Sequence, residues 1–181
     1  EFVAGGPVDD DHLQLLEEEL ALDGADLRAP AWRKADIAPD VELTVGIIGA
    51  GMSGIAAAHR LRQAGIDVVV FEKNDDVGGT WYENCYPGCR VDVSNLFYSY
   101  SFAQRNDWPE HYSSQPVLLD YFRHVAESTG VREVIRFRTE VSSMSFDDDT
   151  ATWTLDVVGP GGVEERIEAH AVISAVGQLN R

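Results

Sequence analysis

The sequence predicts an α/β fold: a βαβ core with a small antiparallel β-meander inserted into it. Three observations carry this. A short apolar run at 43–48 passes through a glycine-rich turn into an alanine-rich helical segment at 52–63. A β-branched run at 66–71 follows, completing a unit of about 30 residues, the usual βαβ length. Further on, strand-like runs at 134–146, 150–158 and 165–175 are separated by Asp147-Asp148-Asp149 and Gly159-Pro160-Gly161-Gly162, which read as turns. There is no internal repeat.

Each element has its own justification. Residues 1–40 form an acidic leader, set apart from a main portion at 41–181. The leader holds 11 Asp and Glu against Arg28, Arg33 and Lys34. Leu13, Leu16 and Leu20 recur at helical spacing, Asp9 or Asp10 can cap that helix, and Gly24 can end it. A leucine stripe of this kind reads as a short surface helix packed on the main domain. An oligomer contact or the remnant of a longer helical extension is the alternative. Leu43-Thr44-Val45-Gly46-Ile47-Ile48 reads as a buried strand, and Ile55, Ala58 and Leu61 mark the apolar face of the helix after it. Gly65 stands where a C-terminal cap belongs. The stretch 73–114 is long and irregular, but its aromatics (Trp81, Tyr82, Tyr86, Phe97, Tyr98, Tyr100, Phe102, Trp108) argue against disorder. Pro116 opens a helix with Leu118, Tyr121, Phe122 and Val125 on one face, and Gly130 closes it. The chain stops at Ala175-Val176-Gly177-Gln178-Leu179-Asn180-Arg181, just after a strand, so the domain is expected to be incomplete at its C-terminus. It opens on Glu1-Phe2 rather than Met, which points to an engineered, processed or fragmentary chain.

Length and charge exclude several functions. At 181 residues, one domain is the default and two small ones are possible. The formal charge is −17, from 31 acidic and 14 basic side chains. A nucleic-acid surface needs clustered Lys and Arg, and none is present. The same deficit argues against an anionic membrane. No apolar run approaches the ~20 residues of a membrane span, and no signal-peptide pattern opens the chain. Apolar residues make up 44%, enough for a packed core. Two cysteines cannot staple a secreted fold of this size. The reading is a soluble cytoplasmic protein.

Gly49-Ala50-Gly51-Met52-Ser53-Gly54 is G-x-G-x-x-G, and its context gives it meaning. It follows a buried strand, opens a helix, and leads to a second strand ending in an acid, Glu72. Gly49 makes the tight turn, Gly51 lets a pyrophosphate approach the backbone, and Gly54 lets helix and strand pack closely. The amides of the first helical turn hold the phosphates, helped by the helix dipole. Glu72 lies 18 residues beyond Gly54, near the expected ~20. Its carboxylate can accept from both hydroxyls of an adenosine ribose and would repel a 2′-phosphate. The competing reading is a glycine-rich strand–helix turn without a ligand. This fingerprint does not separate FAD from NAD.

The next segment does. Gly78-Gly79-Thr80-Trp81-Tyr82-Glu83-Asn84-Cys85-Tyr86-Pro87-Gly88-Cys89-Arg90-Val91-Asp92 resembles the Baeyer–Villiger monooxygenase signature near the FAD site. That signature runs Ala/Gly-Gly-x-Trp, four free positions, Phe/Tyr-Pro-Gly/Met, three free positions, Asp, and every fixed position is matched. The resemblance runs from about residue 43 to 181, through Tyr98-Ser99-Tyr100-Ser101-Phe102, Ser114-Gln115-Pro116 and Ser174-Ala175-Val176-Gly177. The acidic leader resembles the N-terminal extensions of the subgroup typified by 4-hydroxyacetophenone monooxygenase.

The resemblance implies flavoproteins with two Rossmann-like domains, one holding FAD and the other NADPH. The nicotinamide reduces the flavin, O₂ adds at flavin C4a, and the peroxide attacks a ketone to give an ester or lactone. Carried over by position, Gly49, Gly51, Ser53 and Gly54 would contact the FAD pyrophosphate and Glu72 the adenosine ribose, with Met52 and Lys73 in the same site. Gly78, Gly79, Thr80 and Trp81 would line the FAD, with Tyr98 beside it and the Val141 backbone at the adenine. Arg90, Val91 and Asp92 would lie where flavin meets nicotinamide. Asp92 is the catalytic residue in a supporting sense: it would fix an arginine that stabilises the anionic peroxyflavin. No arginine here is an evident match, so that partner is expected beyond Arg181. A loop carboxylate capping backbone amides is the alternative for Asp92.

The family's second G-x-G-x-x-G, for NADPH, is absent, as is its signature Phe-x-Gly-x-x-x-His-x-x-x-Trp/Pro. The chain is therefore expected to be the N-terminal part of a larger FAD- and NADPH-dependent monooxygenase, acting on a small ketone with O₂ and inactive alone. Alternatives are a nitrogen- or sulfur-oxygenating flavin monooxygenase, a non-catalytic FAD- or NAD-binding module, and another FAD enzyme such as an oxidase. A homodimer is the candidate assembly. Cys85 and Cys89 form neither C-x-x-C nor half of a zinc site, and His12, His59, His111, His124 and His170 show no metal spacing. Ser53 follows no G-x-S-x-G, so it is not a hydrolase nucleophile.

Overall fold

Asp9 caps the first helix: its carboxylate accepts the His12 amide at 3.0 Å and starts α1 (Asp10–Leu20). The computed structural model describes residues 9–21 and 23–178, so Glu1-Phe2 and Leu179-Asn180-Arg181 lie outside the described residues. The chain divides into two compact units, Glu1–Ala29 with Arg90–Ser114 and Pro30–Cys89 with Gln115–Arg181.

In the first unit α1 ends before the stop expected at Gly24. Ala21 takes a left-handed φ of 41° and returns its N–H to Glu17. A longer helix would direct the Glu19 carbonyl to residue 23, but Gln104 Nε2 donates to it at 2.9 Å instead. Gly24 closes the following turn onto Ala21. The leucine stripe is buried only at its far end: Leu20 is buried, while Leu13 is 45% exposed. Asn95 is the polar centre of this unit. Its Nδ2 donates to the Glu110 carbonyl at 2.6 Å and to Ser113 Oγ at 2.8 Å, and its Oδ1 accepts the Ser113 amide at 3.0 Å.

In the second unit, α2 (Lys34–Ile37) is a single turn whose Lys34 amide donates to the Ala64 carbonyl. The apolar runs have no polar face, so they become inner strands of a parallel sheet covered on both sides. They are β1 (Thr44–Ile48) and β2 (Asp67–Phe71), paired in parallel with Ile48 beside Phe71. Between them α3 (Met52–Gln63) spans the predicted residues and packs on both strands. It ends in a two-bond cap: Gly65, at φ 73°, donates to Arg62 and Ile66 donates to Leu61. After the one-turn α4 (Thr80–Glu83) comes α5 (Gln115–Ser128), with Leu118, Tyr121, Phe122 and Val125 buried as predicted.

The expected meander needs two corrections. The first run, 134–146, is two strands. Residues 135 and 136 form β3 (Ile135–Arg136), which pairs in parallel with β2, and β4 (Glu140–Asp147) starts afresh. Arg138, at φ 52°, breaks the run, because an extended strand cannot pass through the left-handed region. The last run is likewise cut, at His170, into β6 (Glu164–Ala169) and β7 (Ala171–Ser174), with β5 (Thr152–Val158) preceding them. His170 donates its amide to the Thr44 carbonyl at 2.9 Å and accepts the Thr44 amide on Nδ1 at 3.1 Å. That two-bond clamp turns the chain from the meander into the parallel sheet. The orders are β3-β2-β1-β7, parallel, and β4-β5-β6, antiparallel.

Strand alternation assigns the faces. Ile48, Val69, Phe71 and Val172 pack with Leu155, Val157 and Ala169 of the meander. Val45, Ile47 and Val70 point the other way and are buried too. Among the described residues no helix is long and apolar enough to cross a membrane.

Candidate functional site

The site begins at the carboxyl ends of β1 and β2. Parallel pairing continues one step past the strands, with the Gly49 amide on the Phe71 carbonyl and the Ala175 amide on Ile48, each at 2.8 Å. Gly49, at φ 101°, then turns the chain into α3. Gly54 follows one helical turn later, where an added Cβ would lie 1.9 Å from the Gly49 oxygen. Only glycine lets the helix start this close to the strand it leaves. The first turn of α3 carries no acidic residue, and its last turn carries Arg60 and Arg62, both favourable to the dipole.

The Ala50 peptide is held from both sides. Its N–H donates to Glu72 Oε2 at 2.7 Å, and its carbonyl accepts the Gly78 amide at 3.0 Å. The second glycine-rich segment is thus docked onto the first. Glu72 is 3% exposed, and its other oxygen accepts the Asn74 amide at 2.9 Å. Each carboxylate oxygen therefore spends one lone pair on the backbone and retains a second.

A crevice of about 300 Å³ opens over this arrangement. Of the residues expected in the site, Gly49, Gly51, Glu72, Lys73, Gly79, Thr80 and Val141 line it. Met52, Ser53, Gly54, Gly78 and Trp81 do not: Ser53 is exposed, Met52 half-buried, and Gly54, Gly78 and Trp81 are buried. The Trp81 carbonyl accepts from Gln115 Nε2. Sequence reasoning missed Asn74, Glu83, Thr139 and Glu140, which also line the crevice. Thr139 is buried, and its amide donates to the Glu72 carbonyl. Thr139 and Glu140 arrive by a chain return that no local spacing marks, whereas Asn74 and Glu83 sit beside predicted residues at positions the motifs leave free. A larger depression of about 520 Å³ lies on the meander between Ser142 and Arg166, but it is open and carries the exposed Arg166–Asp156 ion pair.

The loop from Glu72 to Thr80 is pinned by charge. Asp76 accepts from Arg132 Nη1 at 2.8 Å, Arg123 Nε at 2.6 Å and the Val77 amide at 2.9 Å. Burial pushes the Asp76 carboxyl up, but these donors outweigh it and hold the group below its ordinary value. The Tyr82 hydroxyl on Asp75 lowers that carboxyl and raises the phenol in turn.

Arg90, Val91, Asp92 and Tyr98 belong to the other unit. Arg90 pairs with Glu110 at 2.9 Å and bridges to Ser114, and Val91 is buried with its amide on Ser113. Asp92 is exposed and makes no hydrogen bond or ion pair among the described residues, so it caps no backbone amide there. Tyr98 is half-buried, its amide on Ser94. Cys85 is exposed and Cys89 buried, both as thiols.

Residues 47–109 match the family model of the NAD(P)-binding Rossmann-like domain. An uncharacterized monooxygenase, y4iD, of Sinorhizobium fredii is 45% identical over 131 residues, 72% of this chain and 20% of that protein. A Baeyer–Villiger monooxygenase of Streptomyces coelicolor is 42% identical over 137 residues, 75% of this chain and 25% of that protein. The chain is homologous to part of the Baeyer–Villiger and FAD-binding monooxygenases. Solved members of this monooxygenase group share its fold. Oxidized steroid monooxygenase bound to NADP superposes with a TM-score of 0.68 at 40% identity, covering 75% of this chain and 26% of that one. The complex of OTEMO with FAD and NADP gives 0.70 at 36% identity, covering 76% and 26%. The chain thus spans about a quarter of the length of the monooxygenases it matches.

Proposed function

We propose that this chain is the FAD-binding part of a flavin- and NADPH-dependent monooxygenase that inserts one oxygen of O₂ beside a ketone carbonyl. The observation that carries the reading is buried Ala50, held between Glu72, which lines the crevice, and the Gly78 amide. It leaves an acidic acceptor, a helix start and a glycine-lined wall converging on one space. The residues fit the adenosine diphosphate half of FAD. A Cβ on Gly51 would meet only the Gly79 backbone, no nearer than 3.5 Å, so the absence of a side chain there answers no need of the empty fold. It answers the need of a diphosphate lying against the backbone.

In this assignment the first turn of α3 holds the diphosphate and Glu72 takes the ribose hydroxyls. Lys73, Gly79 and Thr80 form the opposite wall, and Val141 borders the adenine. Ser53 and Gly54, in that same turn, are assigned to the diphosphate with Met52 beside them, and Gly78 and Trp81 to the FAD side next to Gly79 and Thr80. Arg90, Val91, Asp92 and Tyr98 are assigned to the flavin–nicotinamide side, with Asp92 orienting an arginine from outside this chain. Its exposed carboxylate, without a partner among the described residues, supports that role. Bound flavin supplies the redox and oxygen chemistry. The chain's own part is to hold the cofactor and exclude water from its polar end. A small ketone as substrate, a cytoplasmic location and a homodimeric assembly complete the proposal.

The test uses the full-length purified protein. It should be yellow, with absorbance near about 370 and 450 nm, bleach with NADPH without air, and convert a cyclic ketone to its lactone with O₂. A colourless protein that takes up no added FAD refutes the assignment. A yellow protein yielding only N- or S-oxides moves the activity to another oxygenation.

A further inference from the structure

Four polar groups run along the rim of the crevice as one chain. Glu72 Oε1 accepts the Asn74 amide at 2.9 Å, Asn74 Nδ2 donates to Glu83 Oε1 at 2.7 Å, and Lys73 Nζ lies 3.3 Å from the same oxygen. Lys73 is the one cation among the described residues lining the crevice, beside Glu72, Glu83 and Glu140. The anchor of the pair is Glu83, whose side chain is 20% exposed against 49% for Lys73. Glu83 also falls at a free position of the glycine–tryptophan motif, so the motif gives it no role.

We propose that Glu83 is a specificity-determining residue of this crevice, excluding a 2′-phosphorylated adenosine by occupying Lys73. The inference rests on the adenosine-binding reading of the crevice. A 2′-phosphate on a ribose held by Glu72 would bring up to about two negative charges beside a buried carboxylate. Such a ligand needs a cation as compensation, and Lys73, next in the chain, is the one at hand. Turning Lys73 toward it would leave the half-buried Glu83 facing a second anion without its partner. Glu72 therefore repels the phosphate, and Glu83 withholds the charge that would offset the repulsion. A plain ribose asks for neither and is accepted.

The experiment competes ADP-ribose and 2′-phospho-ADP-ribose against FAD rebinding to full-length apoprotein, read by flavin fluorescence. Competition with FAD isolates this crevice from any other nucleotide site on the polypeptide. Glu83→Gln keeps an oxygen for Asn74 and removes only the charge. The preference for ADP-ribose over its 2′-phosphate should narrow about two- to fivefold in this variant, the scale of one solvent-screened charge contact. Adding Lys73→Met to it should restore the parent ratio. An unchanged ratio in Glu83→Gln, or a narrowing that persists in the double variant, overturns the inference. If FAD does not rebind to the parent apoprotein, the reading of the crevice is itself refuted and the inference falls with it.

Discussion

Replacing Gly54 by alanine should damage the fold, whereas replacing Gly51 by alanine should damage only nucleotide binding. At Gly54 the new Cβ would lie 1.9 Å from the Gly49 oxygen and 3.0 Å from its carbon. Both are backbone atoms of a turn fixed by the Gly49 amide on Phe71, so no side chain can swing away. Overpacking of this kind costs about 1–3 kcal/mol, and a backbone obstacle puts it near the top, about 3. Alanine regains about 1 kcal/mol of helix propensity, leaving a net loss of about 2. For a chain of this size that lowers the melting temperature by roughly 4–8 °C. At Gly51 the nearest atom is 3.5 Å away and φ is −77°, which alanine adopts freely. Its stability should change by less than about 0.5 kcal/mol. A methyl group there would occupy the path proposed for the diphosphate, so FAD affinity should fall by about a hundredfold or more. Thermal unfolding and a fluorescence titration with FAD decide both halves. A Gly54→Ala protein melting within 2 °C of the parent refutes the packing argument, on the ~2 °C per kcal/mol scale used above. A Gly51→Ala protein that retains FAD normally removes the diphosphate from this turn.

Other outcomes follow from the same geometry. Glu72→Gln replaces a charged acceptor of two amides with one that offers an NH₂ to one of them, so FAD retention should drop at least about tenfold, read as the flavin-to-protein absorbance ratio. Asp76 has its folded-state pKa lowered, so its stabilisation is complete above the unfolded value near ~4 and disappears as pH falls through the folded value. Asp76→Asn should cost about 1–2 kcal/mol at pH 7 and flatten the acid limb of melting temperature against pH; an acid limb parallel to the parent's contradicts the ion-pair account. Asn95→Ala strands the Glu110 carbonyl and the Ser113 amide, and should destabilise by about 2–3 kcal/mol in chemical denaturation.

The first βαβ unit and α5 were legible in the sequence because each depends on neighbours within a few residues. The strand pattern, the helical face of Leu118, Tyr121, Phe122 and Val125, and the cap at Gly65 are local facts about backbone preference and burial. The glycine fingerprint was legible for the same reason, and with it Glu72 at its fixed distance. The chain's returns were not. That 135–136 would leave the meander for the parallel sheet depends on pairing with 70–71, and that His170 would turn 171–174 beside β1 depends on its contact with Thr44, both far away along the chain. The same holds for the crevice wall, where Thr139 and Glu140 arrive from β3's far side and Glu83 meets Lys73 across a loop.

The sequence by itself determined which segments are strands and helices in the core, and that a glycine turn and an acid would meet at its edge. Only the tertiary structure decided which strands leave the insert, which polar groups complete the rim, and that one of them holds the crevice's lysine. The division is physical: periodicity and glycine geometry are properties of a few consecutive residues, whereas ion pairs and strand neighbours exist only once distant segments have been packed together.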